Sequence, residues 1–247
     1  MPFLDRRAAG RRLAERLRFF RNSDVVVLGV PAGGVQVAYE VAAALSVPLD
    51  LAVVRRMTVP YQPWSVFGAL GEDGVCVLDE DVVARALVSE LERFAVQREQ
   101  RERLARSVTR YRGDLARRWL DGRTAVVVDD GIGTAVVVRA AVAIARDRGA
   151  GRVVVAAPVG AGKAVSAVSE FADHVVCLET PPLFGSVQSW YRDYDDVSEA
   201  DVCALLHRAP TAATVARDPQ TRADSRPPRI ADSLSTRPSE SVESVDV

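Results

Sequence analysis

Apolar residues fall into two patterns along this chain. Short unbroken runs appear at Val25 to Val30 (VVVLGV), Thr124 to Asp130 (TAVVVDD), Gly151 to Val159 (GRVVVAAPV) and His174 to Thr180 (HVVCLET). Runs of this length, bounded by turn residues, suit strands covered on both faces. Between them lie segments with helical spacing. Asp5 to Phe20 carries Leu13, Leu17 and Phe20 on one stripe, and Val35 to Leu45, Thr134 to Arg148 and Gly162 to Phe171 follow the same period. Alternation of this kind predicts an α/β fold, a doubly wound parallel sheet with helices on both faces. No internal repeat interrupts it.

The middle of the chain departs from the alternation. Leu49 to Arg56 (LDLAVVRR) reads as a strand, and MTVPYQPW after it as a flexible loop. FGALGEDGVCVLD predicts a β-hairpin turning near Asp73 and Gly74. Asp81 to about Leu120 is a long helical insertion of Arg and Glu, with a break expected near Tyr111 to Gly113. Residues 209–247 contain no aromatic side chain and are rich in Pro, Ser, Thr, Arg and Asp. Such a segment buries too little apolar surface to offset its ordering entropy. The expected organisation is therefore a domain over residues 1–207 and a disordered tail over 208–247.

Composition narrows the function classes. The chain has 247 residues, 48% hydrophobic and 26% charged, enough for one sizeable core plus a tail. Its net charge of -1 offers no field to recruit nucleic acid or an anionic membrane. Lys163 is the only lysine, and arginine supplies the remaining basic charge. Cys76, Cys177 and Cys203 are scattered without metal-ligand spacing, which fits a reducing cytoplasm. No stretch reaches the roughly 18 apolar residues of a membrane span. A cytoplasmic location, with no membrane partner, is the expectation.

Chemistry concentrates after the strand at Val126. Two carboxylates, Asp129 and Asp130, end the strand, and Gly131, Ile132, Gly133 and Thr134 lead into a helix that opens with Ala135, Val136 and Val137. The first turn of a helix leaves N–H groups free, and its dipole favours an anion. Glycines let the backbone approach a phosphate closely. Carboxylates repel phosphate but accept hydrogen bonds from vicinal hydroxyls. Diol acceptors beside an anion cradle describe a ribose 5-phosphate site, unless the segment is merely a capped helix with a surface Asp pair.

This segment resembles the phosphoribosyl pyrophosphate (PRPP) signature of type I phosphoribosyltransferases. Val27 to Ala42 (VLGVPAGGVQVAYEVA) resembles that family's pyrophosphate loop, Pro48 to Arg56 the strand before its mobile catalytic loop, and His174 to Tyr194 its closing strand and the segment after it. The likeness runs from about residue 3 to 207. It implies transfer of a 5-phosphoribosyl group to a nitrogen acceptor, with Mg2+ carried by PRPP and no metal held directly by the protein. Asp129 and Asp130 would bind the ribose, residues 131–137 the 5-phosphate, and Ala32, Gly33 and Gly34 the pyrophosphate. Arg56 takes the catalytic position where the stand-alone bacterial members often carry Lys. Tyr61, Trp64, Trp190 and Tyr191 are acceptor-side candidates. Dimers are common in the family, so a homodimer is a further expectation.

Four positions depart from the pattern. Thr134-Ala135-Val136-Val137 replaces Thr-Gly-x-Thr, Ala32 stands where Arg is frequent, and Arg56 replaces Lys. Ala135 adds a Cβ where a glycine conformation would be needed, and Val137 lacks a hydroxyl. Gly133 occupies a position that is acidic in hypoxanthine-type enzymes, which leans the reading toward adenine- or orotate-type acceptors. A weak or inactive relative that binds a ribonucleotide as a sensor is the alternative.

Other motifs fail. VGAGKAVS has Ala157 and Ala164 where a P-loop needs Gly and Ser or Thr. Gly131-x-Gly133 has Val136 where a dinucleotide fingerprint needs its third Gly. The Arg-rich stretch from Arg93 to Arg118 is interleaved with Glu and lacks a stacking platform, so it reads as a solvated helix face rather than an RNA surface.

Overall fold

The computed structural model describes residues 3–113 and 120–210. Its main sheet holds five parallel strands: β1 (Val25–Gly29), β2 (Leu49–Leu51), β6 (Thr124–Val128), β7 (Arg152–Val159) and β8 (His174–Glu179), in the order β2-β1-β6-β7-β8. Four of the apolar runs are these strands. Every residue of β1 and β6 is buried, as a strand covered on both faces requires.

The helices divide between the two faces. α1 (Arg6–Arg16) and α2 (Gly33–Leu45) cover one, where Leu13, Leu17, Phe20, Val37 and Val41 pack on Val126 and Val128. α5 (Ala135–Asp147) and α6 (Gly162–Val168) cover the other, where Val136, Ala140, Ile144 and Val168 pack on Ala125 and Val127. Alternate residues of β6 thus feed opposite cores, following the twofold period of a strand. The β1-α2-β2 and β6-α5-β7 crossovers leave adjacent strands toward opposite faces. The crevice between the carboxyl ends of β1 and β6 is therefore the topological switch point.

Three sequence expectations need correction. The segment read as a flexible loop is a hairpin. β3 (Val54–Val59) and β4 (Gln62–Gly71) pair antiparallel, with Val59 opposite Gln62, so Pro60 and Tyr61 form a two-residue turn. Its register shifts between Met57 and Val59. The pattern there is legible afterwards, since Val54, Met57 and Val59 are buried and Arg55, Arg56 and Thr58 are not. Leu49 to Arg56 is accordingly not one strand. β2 stays in the main sheet, whereas β3 enters a second sheet, β3-β4-β5, with β5 (Cys76–Leu78). The β4–β5 hairpin turns where expected, and Asp73 adopts a left-handed conformation in it (φ 63°).

The long helix breaks earlier than expected. α3 (Glu80–Arg85) and α4 (Glu90–Arg112) are separated by a turn with Leu87 at φ 53°, and Ser89 and Glu92 form a capping box that starts α4. The end of α4 at Arg112, capped by Gly113, falls at the anticipated break; residues 114–119 lie outside the described residues. A last helix, α7 (Glu199–Arg208), opens with a second capping box, Ser198 with Asp201. It packs Val202 and Leu205 into a third cluster with Met57, Phe67, Leu104 and Tyr111, fastening the antiparallel sheet to α4. Ala209 is still buried. The tail expected from residue 208 thus begins on described residues, with Arg208 ending α7, and the rest of it, residues 211–247, lies outside the described residues.

A buried ionic network joins the two sheets. Arg112 donates to Glu72 from Nε (3.0 Å) and to Asp50 from Nη1 (3.2 Å). Arg148, only 1% exposed, donates to Glu72, to Asp50 and to the Leu51 carbonyl. Among the described residues, two guanidinium groups and two carboxylates thus meet where β2, the β4–β5 turn, α4 and α5 converge. Mutual pairing is what makes burial of such charges tolerable.

Candidate functional site

Two loops meet at the switch point. After β1, Pro31 to Gly34 enters α2, with Ala32 at the helix cap and a cis peptide between Pro31 and Ala32. After β6, Asp129 and Asp130 precede the loop to α5. The contact is close: a Cβ on Gly33 would lie 2.1 Å from Asp130 Oδ2, and one on Gly34 would lie 2.8 Å from Asp129 Oδ1. Only glycine lets the two loops approach to this distance. The sequence-predicted pyrophosphate loop and diol acceptors are thus brought together.

The carboxylates differ in environment. Asp129 is partly exposed and accepts the Asp130 N–H at Oδ1 (2.9 Å). Burial pushes its carboxyl well above the usual carboxylate range, and the neighbouring Asp130 charge adds to this. The Asp130 N–H and the positive charge of Arg56 act in the opposite direction. Arg56 itself is exposed on β3.

Asp130 is buried and already engaged. Its Oδ2 accepts from Arg6 Nε at 2.8 Å and from the Tyr194 hydroxyl at 3.0 Å. The Tyr191 hydroxyl donates to its backbone carbonyl. Arg6 sits 6% exposed, with its guanidinium 3.7 Å from the centre of the Tyr194 ring. Sequence reasoning does not find Arg6 as a site residue, because 124 positions separate it from Asp130 and no local motif marks the pair.

The cradle itself is regular. Thr134 is the N-cap of α5, its Oγ1 accepting from Val136 N at 3.4 Å. Helix geometry leaves the other first-turn N–H groups without intrahelical partners, pointing at the loop. Ala135 is the first residue of α5, and no residue from Gly131 to Val137 has a positive φ. The expected need for glycine at 135 is therefore corrected: helical backbone accepts a Cβ without strain. Val136 and Val137 are buried in the α5 core. Ile132 is pinned by Val159 O and Ala161 N at 2.9 Å each, and Gly133 is exposed. Val187 and Phe184 lie over Gly131 and Gly133 from the segment after β8.

The acceptor-side candidates separate. Tyr191 is 5% exposed and braces the Asp130 backbone, so its ring has no free face for stacking, which corrects that assignment. Trp190 is half-buried and donates from Nε1 to Phe184 O (2.9 Å). Tyr61 and Trp64 lie at the β3–β4 hairpin end, 52% and 81% exposed, with the Tyr61 hydroxyl on the Ala86 carbonyl. A cavity of about 630 Å³ opens beside the dyad's support, lined by Arg6, Arg7, Gln36, Gln188, Tyr191 and Tyr194 among others. Among the described residues no cluster of three His, Cys, Asp or Glu side chains is placed to hold a metal ion.

A five-stranded parallel sheet, with a carboxylate pair and an N-terminal helix turn at its switch point and a glycine loop opposite, is the type I phosphoribosyltransferase fold. The family model for the phosphoribosyl transferase domain matches residues 4–195, and the chain belongs to that PRPP-utilising family. Two Mycobacterium tuberculosis proteins, from strains H37Rv and CDC 1551 and both named "Putative phosphoribosyl transferase", are 48% identical over 207 residues, covering 84% of this chain. The chain spans about half, 47%, of the length of these curated relatives. The crystal structure of TT1426 from Thermus thermophilus matches with a TM-score of 0.70 and 37% identity, covering 85% of this chain and 100% of that one. No helix among the described residues is long and apolar enough to cross a membrane.

Proposed function

We propose that this domain transfers a 5-phosphoribosyl group from PRPP to a ring nitrogen of a nucleobase or a related acceptor. The bond from ribose C1 to pyrophosphate oxygen breaks, and a bond from C1 to the acceptor nitrogen forms. Pyrophosphate leaves with the bonding pair, and the acceptor's N–H proton passes to solvent or to pyrophosphate. The observation that carries this reading is the opposition of Asp129 and Asp130 to Gly33 and Gly34, with the α5 N-terminus alongside.

Each group has a physical task. Asp129 and Asp130 accept hydrogen bonds from the ribose hydroxyls. The free N–H groups of residues 133–135 take the 5-phosphate, with Thr134 at the cap. Ala32 to Gly34 approach the pyrophosphate through backbone alone, so Ala32 forgoes the charge an arginine would add. Arg56 offsets charge developing on the leaving group. Magnesium is a hard cation that keeps oxygen ligands and commonly arrives on substrate phosphates, which suits a site without a dedicated cage. When bound, it would neutralise pyrophosphate charge. Gly133 supplies no general base, which favours acceptors whose nitrogen needs none.

Two observations favour a second reading. Asp130 is engaged by Arg6 and Tyr194, and Val137 offers the cradle no hydroxyl. A domain of this kind would bind a ribonucleotide as a sensor without turnover. Phosphorus NMR of PRPP with magnesium and a panel of nucleobases separates the two. Base-dependent release of pyrophosphate, absent in the Asp129→Asn/Asp130→Asn double variant, is expected. Saturable binding of nucleoside monophosphates with no consumption of PRPP for any base would establish the sensor reading instead.

A further inference from the structure

Asp130 is held at three points. Two donors, Arg6 Nε and the Tyr194 hydroxyl, converge on one oxygen, Oδ2, and the Tyr191 hydroxyl holds the backbone carbonyl. The holders are themselves fixed. Arg6 donates from Nη1 to the Asp195 carbonyl at 2.7 Å and lies over the Tyr194 ring, whose centre is 5.4 Å from that of Tyr191. Backbone bonds then join the beginning of the domain to the segment after β8: Phe3 N to Trp190 O, Arg192 N to Phe3 O and Asp193 N to Leu4 O, at 2.6–2.9 Å. Gly33 closes the arrangement, since a Cβ there would meet both Asp130 Oδ2 and Arg6 Nε.

An ion pair this buried is a poor choice for stability alone, because an apolar pair of similar volume does as well or better. Its value lies in what it does to the carboxylate. Desolvation by the protein is offset by Arg6, the rotamer is locked, and the second oxygen of Asp130 is left as the acceptor. Arg6 also cancels one of two negative charges that a donor rich in phosphate would otherwise approach.

We infer that Arg6 and Tyr194 are positioning residues for the donor: they fix Asp130 so that Oδ1 is offered to one ribose hydroxyl, and they make that placement depend on the docking of α1 against residues 190–195. The inference rests on the donor-binding reading above. It assigns a role in ligand recognition to the first helix and to residues 190–195.

The test is calorimetric titration of the full chain with magnesium PRPP at neutral pH, for wild type, Arg6→Ala, Arg6→Lys and Tyr194→Phe, each checked for fold by circular dichroism. Loss of a charge-assisted hydrogen bond predicts roughly 10- to 100-fold weaker binding for Arg6→Ala and roughly 10-fold for Tyr194→Phe. Arg6→Lys should recover part of the loss. That partial recovery follows the positive charge beside Oδ2 rather than the packing of the side chain, which a purely architectural role would not do. Tyr194→Phe keeps the ring and its packing, so it decides the matter if Arg6→Ala does not fold. Folded variants that bind like wild type, or more tightly because the contact competes with the donor, overturn the inference. A wild type that does not bind overturns the donor reading and this inference together, whereas a wild type that binds with indifferent variants overturns this inference alone.

Discussion

The two carboxylates of the dyad should respond to neutralisation in opposite directions. Asp129→Asn removes a group whose ionisation burial and the Asp130 charge oppose. A carboxyl whose folded pKa is raised costs stability as pH rises from its unfolded value, near about 3.9, through its folded one. The asparagine variant should thus match wild type near pH 4 and exceed it increasingly toward neutrality. Relief of strain at a functional site typically contributes about 1 kcal/mol, and a change of about 1 kcal/mol moves Tm by roughly 2–4 °C in a domain of this size. Asp130→Asn does the reverse. It leaves the Arg6 guanidinium, 6% exposed, without its carboxylate. Breaking one side of a buried pair costs about 3 kcal/mol, a fall in Tm of roughly 6–12 °C. Thermal unfolding followed by calorimetry at pH 4, 6 and 8, without ligand, reads both effects, and both variants should lose PRPP binding. Equal destabilisation by the two substitutions, or a stability gap for Asp129→Asn that shrinks as pH rises, would refute the assignment of the two environments.

Three further outcomes follow from the geometry. Gly33→Ala places a Cβ 2.1 Å from Asp130 Oδ2 and 2.7 Å from Arg6 Nε, so urea unfolding should show a loss of about 1–3 kcal/mol together with weakened donor binding. Ala135→Gly should leave donor affinity within about twofold in calorimetry while costing about 0.5–1 kcal/mol, because the helix already accepts the Cβ there. Glu72→Ala strips Arg112 and Arg148 of a shared buried carboxylate, and denaturant unfolding should show a loss of about 3–5 kcal/mol.

The parallel sheet and the β6–α5 site were legible in the sequence because their determinants are local. An unbroken apolar run, two carboxylates, glycines and a capping threonine lie close together along the chain. The α3–α4 break and α7 are legible in principle, since Ser89 with Glu92 and Ser198 with Asp201 are capping boxes. The β3–β4 hairpin is masked in the sequence because Pro60 and Pro63 lie in and beside its turn and suggest a loop. Only the burial of Val54, Met57 and Val59 makes it a sheet, with Met57 and Val59 packed in the cluster that α4 and α7 complete. An aromatic after the last strand carries no mark of which way it faces, so the sequence does not distinguish a stacking ring from the buried brace that Tyr191 is. Arg6 was invisible for a different reason: one arginine among many on a charged helix, its partner is chosen by tertiary packing.

The most direct test of the account is calorimetric titration of wild type and the Asp129→Asn/Asp130→Asn variant with magnesium PRPP. Saturable binding by the wild type, abolished in the variant, is the expected result. No binding by the wild type at millimolar donor, or equal binding by both proteins, would contradict the assignment of the switch-point crevice as the PRPP site.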